Sequence, residues 1–105
     1  MDNFITIKDN VQAELIEKKS KFIADLFYVE TVKESEEIIN IIKKKYYDAR
    51  HNCIAYRVLE QDRLIEKSSD DGEPSGTAGF PILKVLENNN LNNILAIVIR
   101  YFGGI

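Results

Sequence analysis

A run of six apolar residues, Ile94–Ile99, constrains the fold of this chain more than any other segment. Because side chains alternate between the two faces of a strand, a strand of this composition is apolar on both faces. Such strands are typical of the centre of a sheet that is covered on both sides. The run is also far shorter than the ~20 apolar residues that a membrane-spanning helix needs. It therefore predicts a central strand and no membrane association.

The other strand-like segments alternate apolar and polar residues, which predicts one buried and one solvated face. These segments are Val11–Leu15, Phe22–Tyr28, Cys53–Leu59 and a short one at Leu64–Lys67. Short polar connections join the first to the second and the third to the fourth. Each pair is therefore expected to form an antiparallel hairpin.

Two helices are predicted between and after these hairpins. Thr31 has Glu34 three residues further on, which is the spacing of a capping box at a helix start. The expected buried stripe of this first helix repeats at helical spacing and consists of Ile38, Ile41, Ile42 and Tyr46. A second helix is predicted from about Thr77–Pro81 to Glu87, and the asparagines that follow are expected to end it.

Length and charge exclude several classes of protein. A chain of 105 residues has room for one domain and one core. Its formal net charge of -3 supplies no global field for nucleic acid, so such binding would need a local basic patch. Lys43–Lys45 with Tyr46, Tyr47 and Arg50 is one candidate for contact with RNA or an acidic protein, although a basic last turn also simply matches the helix dipole. A single cysteine and no evident signal peptide predict a reducing, cytoplasmic location.

Residues 69–81 form the most unusual segment, with three glycines, two prolines, three carboxylates and three hydroxyls before the second helix. Backbone N–H groups at a helix start bind anions where glycines allow close approach. Asp70, Asp71 and Glu73 would repel a phosphate unless a metal ion lay between them. The same acids and hydroxyls are also suited to capping the helix. A capping turn, a ligand surface and a metal or catalytic site are the three interpretations of this loop.

Two further positions carry groups that can react or bind. His51 and Cys53 are two residues apart, about 6.5 Å along a strand, which is too far for an effective nucleophile–base pair. We interpret both as packing or hydrogen-bonding residues. Arg100 follows the apolar run, and a charge there must be paired or reach solvent. We predict that Arg100 pairs with Asp70, Asp71 or Glu73 and ties the loop to the end of the sheet.

These segments together resemble one family. Asp70–Gly79, followed by Pro81–Leu83 and then by Arg100–Gly104, is similar to the IMPACT (YigZ) family. Ser20–Ala24 and His51–Tyr56 also match the pattern of that family. The resemblance covers nearly the whole chain, and the two glycine-containing blocks are specific when they occur together.

The resemblance implies an α+β fold for residues 1–105. The expected architecture is a two-layer sandwich like the second domain of ribosomal protein S5, with a mostly antiparallel sheet and helices on one face. In the family the pattern continues after Gly103 and Gly104 into a further helix, and many bacterial members add a ferredoxin-like domain. We therefore expect one amino-terminal domain, incomplete at its C-terminus. The expected sign of this incompleteness is an exposed apolar face beside Ile94–Phe102 or a homo-oligomer through this region.

The resemblance also implies a function. Eukaryotic members regulate translation, and the S5-like fold recurs in ribosomal proteins, so a non-enzymatic, translation-linked binding module is expected. Its partner would be a protein or the ribosome and its RNA, and no cofactor or metal is expected. The predicted binding residues are Asp70, Asp71, Glu73, Ser75, Gly76, Thr77, Arg100, Gly103, Gly104 and His51.

Two alternatives to the binding module are open. The first is a metal- or phosphate-dependent hydrolase that uses the Asp70–Gly79 loop. Asp70 or Asp71 would bind the metal or act as base, and Ser75 or Thr77 would contact the substrate. In the second alternative the glycine-containing blocks build only the core, and their polar residues are buried and hydrogen-bonded.

Overall fold

A computed structural model describes residues 6–17, 20–49, 51–69 and 79–102. The elements in chain order are β1 (Val11–Glu17), β2 (Ser20–Tyr28), α1 (Val32–Lys45), β3 (His51–Glu60), β4 (Arg63–Ser69), α2 (Gly79–Asn88) and β5 (Ile94–Phe102). The strands form one sheet in the order β1-β2-β5-β3-β4, and all neighbours in it are antiparallel. The predicted α+β class, the antiparallel sheet and both hairpins are confirmed.

The apolar run forms the centre of the sheet, as predicted. β5 lies between β2 and β3 and is hydrogen-bonded to both along most of its length. Ile94, Leu95, Ile97 and Ile99 are each at most 1% exposed. Because β5 already has a strand on each side, a second copy of the chain has no free edge of β5 to pair with. On the α2 side, Val98 of this strand and its partner Ala24 in β2 are only partly buried.

The two helices lie on opposite faces of the sheet, which corrects the expected placement of both on one face. One core cluster joins Ile39 and Ile42 of α1 to alternate residues of β3 and β5, including Ile54, Tyr56, Leu95 and Ile97. The other joins Leu83 and Leu86 of α2 to the intervening residues Ala55, Ile94 and Ala96. The physical reason is the two-sided apolar character of β5, which requires cover above and below the sheet.

A buried arginine explains why β3 was expected to have a solvated face. Arg57 is 8% exposed although it is charged. Its Nε lies 2.9 Å from Oε2 of Glu66, the residue opposite it in β4. Its Nη1 donates to the carbonyl oxygen of Leu86 at 3.3 Å, near the C-terminal end of α2. The guanidinium therefore lies under the helix, and both faces of β3 are buried.

The ends of both helices follow their sequence signals. The hydroxyl of Thr31 accepts a hydrogen bond from the backbone N–H of Glu34 at 3.0 Å, which confirms the predicted N-cap. Asn90 adopts a left-handed φ of 53°, as expected for a residue that ends a helix. The buried stripe of α1 differs from the prediction, because Ile39 is buried and Ile41 is 63% exposed. The helix faces the sheet with Ile39 and Ile42, so Ile41 points to solvent.

Candidate functional site

The antiparallel topology brings the predicted site segments to one end of the sheet. β3 begins at His51, β4 ends at Ser69 and β5 ends at Phe102. In the register of the sheet, His51 lies opposite Arg100, and Ser69 pairs with Ile54 in the same part of β3. Residues 70–78 and 103–105 follow directly in sequence from these strand ends. We call the part of the sheet defined by His51, Ser69 and Arg100 the motif end.

Among the predicted binding residues, Arg100 has a described side chain. It is partly buried, and its guanidinium carbon lies 5.8 Å from the centre of the Phe22 ring. Phe22 is the partner of Arg100 in β2, so both side chains stand on the α2 side of the sheet. A guanidinium over an aromatic ring is held by the ring's negative face. This contact fixes Arg100 at the motif end, where a guanidinium can bind carboxylates or phosphates bidentately.

Close backbone contact joins the two residues that flank the 70–78 loop. A β-carbon built on Gly79 would lie 2.5 Å from the carbonyl oxygen of Ser69. Only a residue without a side chain allows α2 to begin this close to the end of β4. The loop therefore leaves and re-enters the described structure at nearly the same point, beside the motif end.

The C-terminal end of α1 reaches the same region. The hydroxyl of Tyr101, in β5, donates to Oδ1 of Asp48 at 3.0 Å. The Tyr101 ring also meets the Tyr46 ring edge-on, with centroids 6.4 Å apart and planes at 71°. Burial, and then the hydrogen bond to Asp48, raises the pKa of Tyr101 above its ordinary value. The phenol therefore keeps its proton, and its hydrogen bond, to a higher pH than an ordinary tyrosine.

Cations and an exposed aromatic ring occupy the C-terminal end of α1 and the positions that follow it. Lys43, Lys44 and Lys45 occupy the last turn of α1 and are exposed. Tyr47 is 84% exposed. The Lys45 ammonium lies 5.2 Å from the centre of the Tyr46 ring. Ammonium groups and aromatic faces are the groups that bind phosphates and stacked bases, or acidic side chains of a protein.

Most of the predicted binding residues lie outside the described residues. They are Asp70, Asp71, Glu73, Ser75, Gly76, Thr77, Gly103 and Gly104. His51 is described in its backbone, where it is the first residue of β3. The predicted pairing of Arg100 with the loop carboxylates also falls on undescribed residues. The binding roles of all these residues therefore stay predictions.

Cys53 is 2% exposed, which agrees with its interpretation as a packing residue. Within the described ranges, no group of three or more His, Cys, Asp and Glu side chains is arranged to hold a metal ion. Neither described helix is long and apolar enough to cross a membrane.

Two features of the folded chain were not predicted. In the alternating segment Phe22–Tyr28 the charged Asp25 lies on the face predicted to be solvated, but it is 4% exposed and accepts a hydrogen bond from Nε2 of Gln12 at 2.7 Å. Ile23 and Phe27 lie on that same face, and this apolar pair was the available signal of burial. The contact between Tyr101 and Asp48 had no local signal, because the two residues are far apart in the sequence.

The fold and the motif end define a class of protein: a small α+β domain with an antiparallel sheet, a helix on each face, and strand ends that lead in sequence into two glycine-containing segments. A family model described as the Impact N-terminal domain matches residues 18–105. The chain therefore belongs to the IMPACT family, which confirms the resemblance.

Similar proteins agree with this assignment. The chain is 47% identical over 105 residues to the IMPACT family member YvyE of Bacillus subtilis (strain 168), covering 100% of the chain and 48% of that protein. A crystal structure of a hypothetical protein superposes with a TM-score of 0.90 at 35% identity, covering 100% of this chain and 52% of that one. The two-domain translational regulator Yih1 shares the fold, with a TM-score of 0.63 at 22% identity over 99% of this chain and 40% of its own. The chain thus spans about half the length of the bacterial relatives that it matches.

Proposed function

We propose that this chain is a binding module of a translational regulator and that its contact surface is the motif end. Membership of the IMPACT family supports this proposal, as does the shared fold with Yih1, a translational regulator. The proposed surface combines the Asp70–Gly79 loop, Arg100 and the Gly103-Gly104 pair with the end of α1. The partner is a protein or the ribosome and its RNA.

The convergence of separate segments at one end of the sheet carries this proposal. The start of β3, the ends of β4 and β5 and the start of α2 all lie there. The hydrogen bond between Tyr101 and Asp48 attaches the residues that follow α1 to the same place. Segments that are far apart in sequence but meet on one rigid scaffold are the usual construction of a binding surface.

Charge favours the ribosome as the partner to test first. The chain has a net charge of -3, yet Lys43–Lys45 form a local positive patch at the end of α1, and Arg100 adds a guanidinium on the opposite face of the sheet. A local basic patch with exposed tyrosine can contact phosphates and bases although the whole domain is acidic. An acidic protein surface would use the same cations, so the experiment must separate the two partners.

Co-sedimentation of the chain with ribosomes over a salt series tests the proposal. Phosphate contacts release counterions, so pelleting should fall steeply as salt rises. The variant K44Q/K45Q should lower the affinity for ribosomes and make binding depend less steeply on the salt concentration. Arg100→Gln should also lower the affinity. Lys33→Gln is the matched control, because Lys33 is an exposed lysine in the first turn of α1, at the opposite end of the helix.

The outcomes distinguish the partners. Absence of pelleting at low salt would show that the ribosome is not the partner. A protein partner recovered by the wild-type chain but not by Arg100→Gln would then support the protein form of the proposal. If Lys33→Gln weakened binding as much as K44Q/K45Q, the motif end would not be the contact surface.

The hydrolase alternative has no support from the relatives or from the described residues. Its proposed metal ligands and substrate contacts belong to residues 70–78, outside the described ranges. It stays a prediction without a site.

A further inference from the structure

We propose that a cleft between α1 and strands β1 and β2 binds a small zwitterion with an apolar body. The cleft has a volume of about 330 Å³ and lies on the α1 side of the sheet. The residues that line it include Val11, Gln12, Asp25, Phe27, Ile42 and Lys45. The inference does not rest on the proposed function, although Lys45 belongs both to the end of α1 and to this cleft.

A buried carboxylate lines the cleft. Asp25 is 4% exposed, and its partner across β5 is the fully apolar Ile97. Within the described part of the chain, Nε2 of Gln12 donates a hydrogen bond to Oδ1 of this carboxylate at 2.7 Å. A carboxylate has about four acceptor positions, and a buried charge is costly unless those positions are filled. A ligand ammonium in the cleft would supply up to three further donors.

The second charged group of the cleft restricts what the ligand can be. Lys45 lines the same cleft from the last turn of α1 and is exposed. A simple cation would be attracted by Asp25 and repelled by Lys45, and a simple anion would meet the reverse. A zwitterion satisfies both groups, with its ammonium on Asp25 and its carboxylate on Lys45.

The remaining lining residues determine the middle of the ligand. Val11, Phe27 and Ile42 present hydrocarbon to the cleft, and Val11 is 49% exposed. Covering this surface with the apolar part of a ligand would remove it from water. The volume lies at the small end of the range for ligand sites, roughly 300–1,000 Å³, and therefore fits a molecule of amino-acid size.

Titration of the chain with L-leucine, followed by amide NMR, tests this inference. Leucine should cause saturable shifts that are confined to residues lining the cleft. N-acetyl-leucine lacks the ammonium and isoamylamine lacks the carboxylate, so each should bind about tenfold more weakly. Shifts that do not saturate up to the solubility limit of leucine would overturn the proposal.

Two variants test the assigned contacts. Asp25→Asn keeps the shape of the side chain and should weaken leucine binding about tenfold or more. Glu14→Gln is its matched control, because Glu14 is an exposed carboxylate of β1 that pairs with Lys21. Equal affinities of wild type and Asp25→Asn, with both proteins folded by their NMR spectra, would overturn the inference.

Lys45→Gln tests the second contact. It should weaken the binding of leucine and leave the binding of isoamylamine unchanged or stronger. If it tightened leucine binding, Lys45 would be a competitor for Asp25 and the two-point assignment would be wrong.

Discussion

Gly79 and Ser69 are in such close contact that α2 starts directly against the backbone at the end of β4. A β-carbon on Gly79 would lie 2.5 Å from the oxygen, 2.8 Å from the carbon and 2.8 Å from the nitrogen of Ser69. All three atoms belong to the backbone, so rotation of a side chain cannot relieve the overlap. This contact connects the last strand of the β3–β4 hairpin to the second helix at the motif end.

Gly79→Ala should therefore destabilise the chain by about 1–3 kcal/mol, as overpacking does. An ordinary helical Gly→Ala substitution has the opposite sign and stabilises by about 0.5–1 kcal/mol. Urea unfolding of the wild type and of Gly79→Ala measures which sign the change in the free energy of unfolding has. A stabilised Gly79→Ala variant would show that the two backbones do not meet as described.

Arg57 provides a second test, in the packing between α2 and the sheet. Arg57→Met removes the partner of Glu66 and should cost about 1–3 kcal/mol at neutral pH, because the Glu66 side chain is 32% exposed and stays partly solvated. Lys67→Met is the matched control in the same hairpin. The Lys67–Glu36 pair has lysine and glutamate side chains 49% and 40% exposed, against 9% for Arg57, so this variant should lose at most about 1 kcal/mol.

The cost of Arg57→Met should also depend on pH. Burial, and then the neighbouring Glu87, raises the pKa of Glu66 above its ordinary value. The contribution of a group with a raised pKa is present below its unfolded pKa and is lost as the pH rises through its folded pKa. Arg57 favours the ionised form of Glu66, so its removal makes the carboxyl easier to protonate. In mild acid Glu66 can take up a proton and lose its unpaired charge, so the variant should lose less stability there than at neutral pH. A pH-independent difference in urea midpoints would contradict this account.

Arg57 also shows where prediction from the sequence ends. The strands, the N-cap Thr31 and the helix stop at Asn90 depend on local patterns, and all of them were predicted. The position of α2 depends on a guanidinium that is paired with Glu66 across the β3–β4 hairpin and with the carbonyl of Leu86, which is distant in sequence. A charged residue alternating with apolar ones therefore suggested a solvated face on β3, whereas the placement of both helices on one side came from the family resemblance.

The candidate site was predicted to a different extent. Sequence motifs identified the segments around His51, Asp70–Gly79 and Arg100, and the sheet register places His51 opposite Arg100. Tyr101 belongs to the Arg100–Gly104 block and Asp48 to no motif, and neither was predicted to make this contact, because it forms only when α1 packs against the sheet. Long-range contacts of this kind depend on the tertiary fold and leave no periodic pattern.

The turn between β3 and β4 provides a stabilising prediction. Gln61 and Asp62 have φ values of 53° and 62°, and they connect the paired residues Glu60 and Arg63. Two left-handed residues between antiparallel strands form the turn that favours Asn-Gly. The double substitution Gln61→Asn and Asp62→Gly should therefore raise the free energy of unfolding by about 1 kcal/mol.

Thermal or urea unfolding of this turn variant is the measurement. The control is Gln61→Ala with Asp62→Ala, which keeps two side chains in left-handed conformations and should not stabilise the chain. An Asn-Gly variant no more stable than this control would contradict the turn geometry.

Tyr56 should make the stability of the chain fall in alkaline solution. Its hydroxyl donates to Oε2 of Glu36 at 3.0 Å, and the same carboxylate oxygen is 2.9 Å from the Lys67 ammonium. Burial, and then Glu36, raises the pKa of Tyr56 from 10.0 to about 12. Above pH 10 the unfolded phenol ionises while the folded one stays protonated, so the unfolded state is stabilised relative to the folded state. The contribution of Tyr56 is therefore complete below pH 10 and is lost as the pH rises to about 12.

Tyr56→Phe tests this prediction. The variant should be about 1 kcal/mol less stable at neutral pH, because the hydrogen bond to Glu36 is lost. Between pH 10 and about 12 its stability should fall less steeply than that of the wild type, because position 56 no longer titrates. Tyr47→Phe is the control, since Tyr47 is 84% exposed and its loss should leave the alkaline slope unchanged. Parallel alkaline slopes for Tyr56→Phe and the wild type in urea unfolding would show that the buried phenol does not control stability in this range.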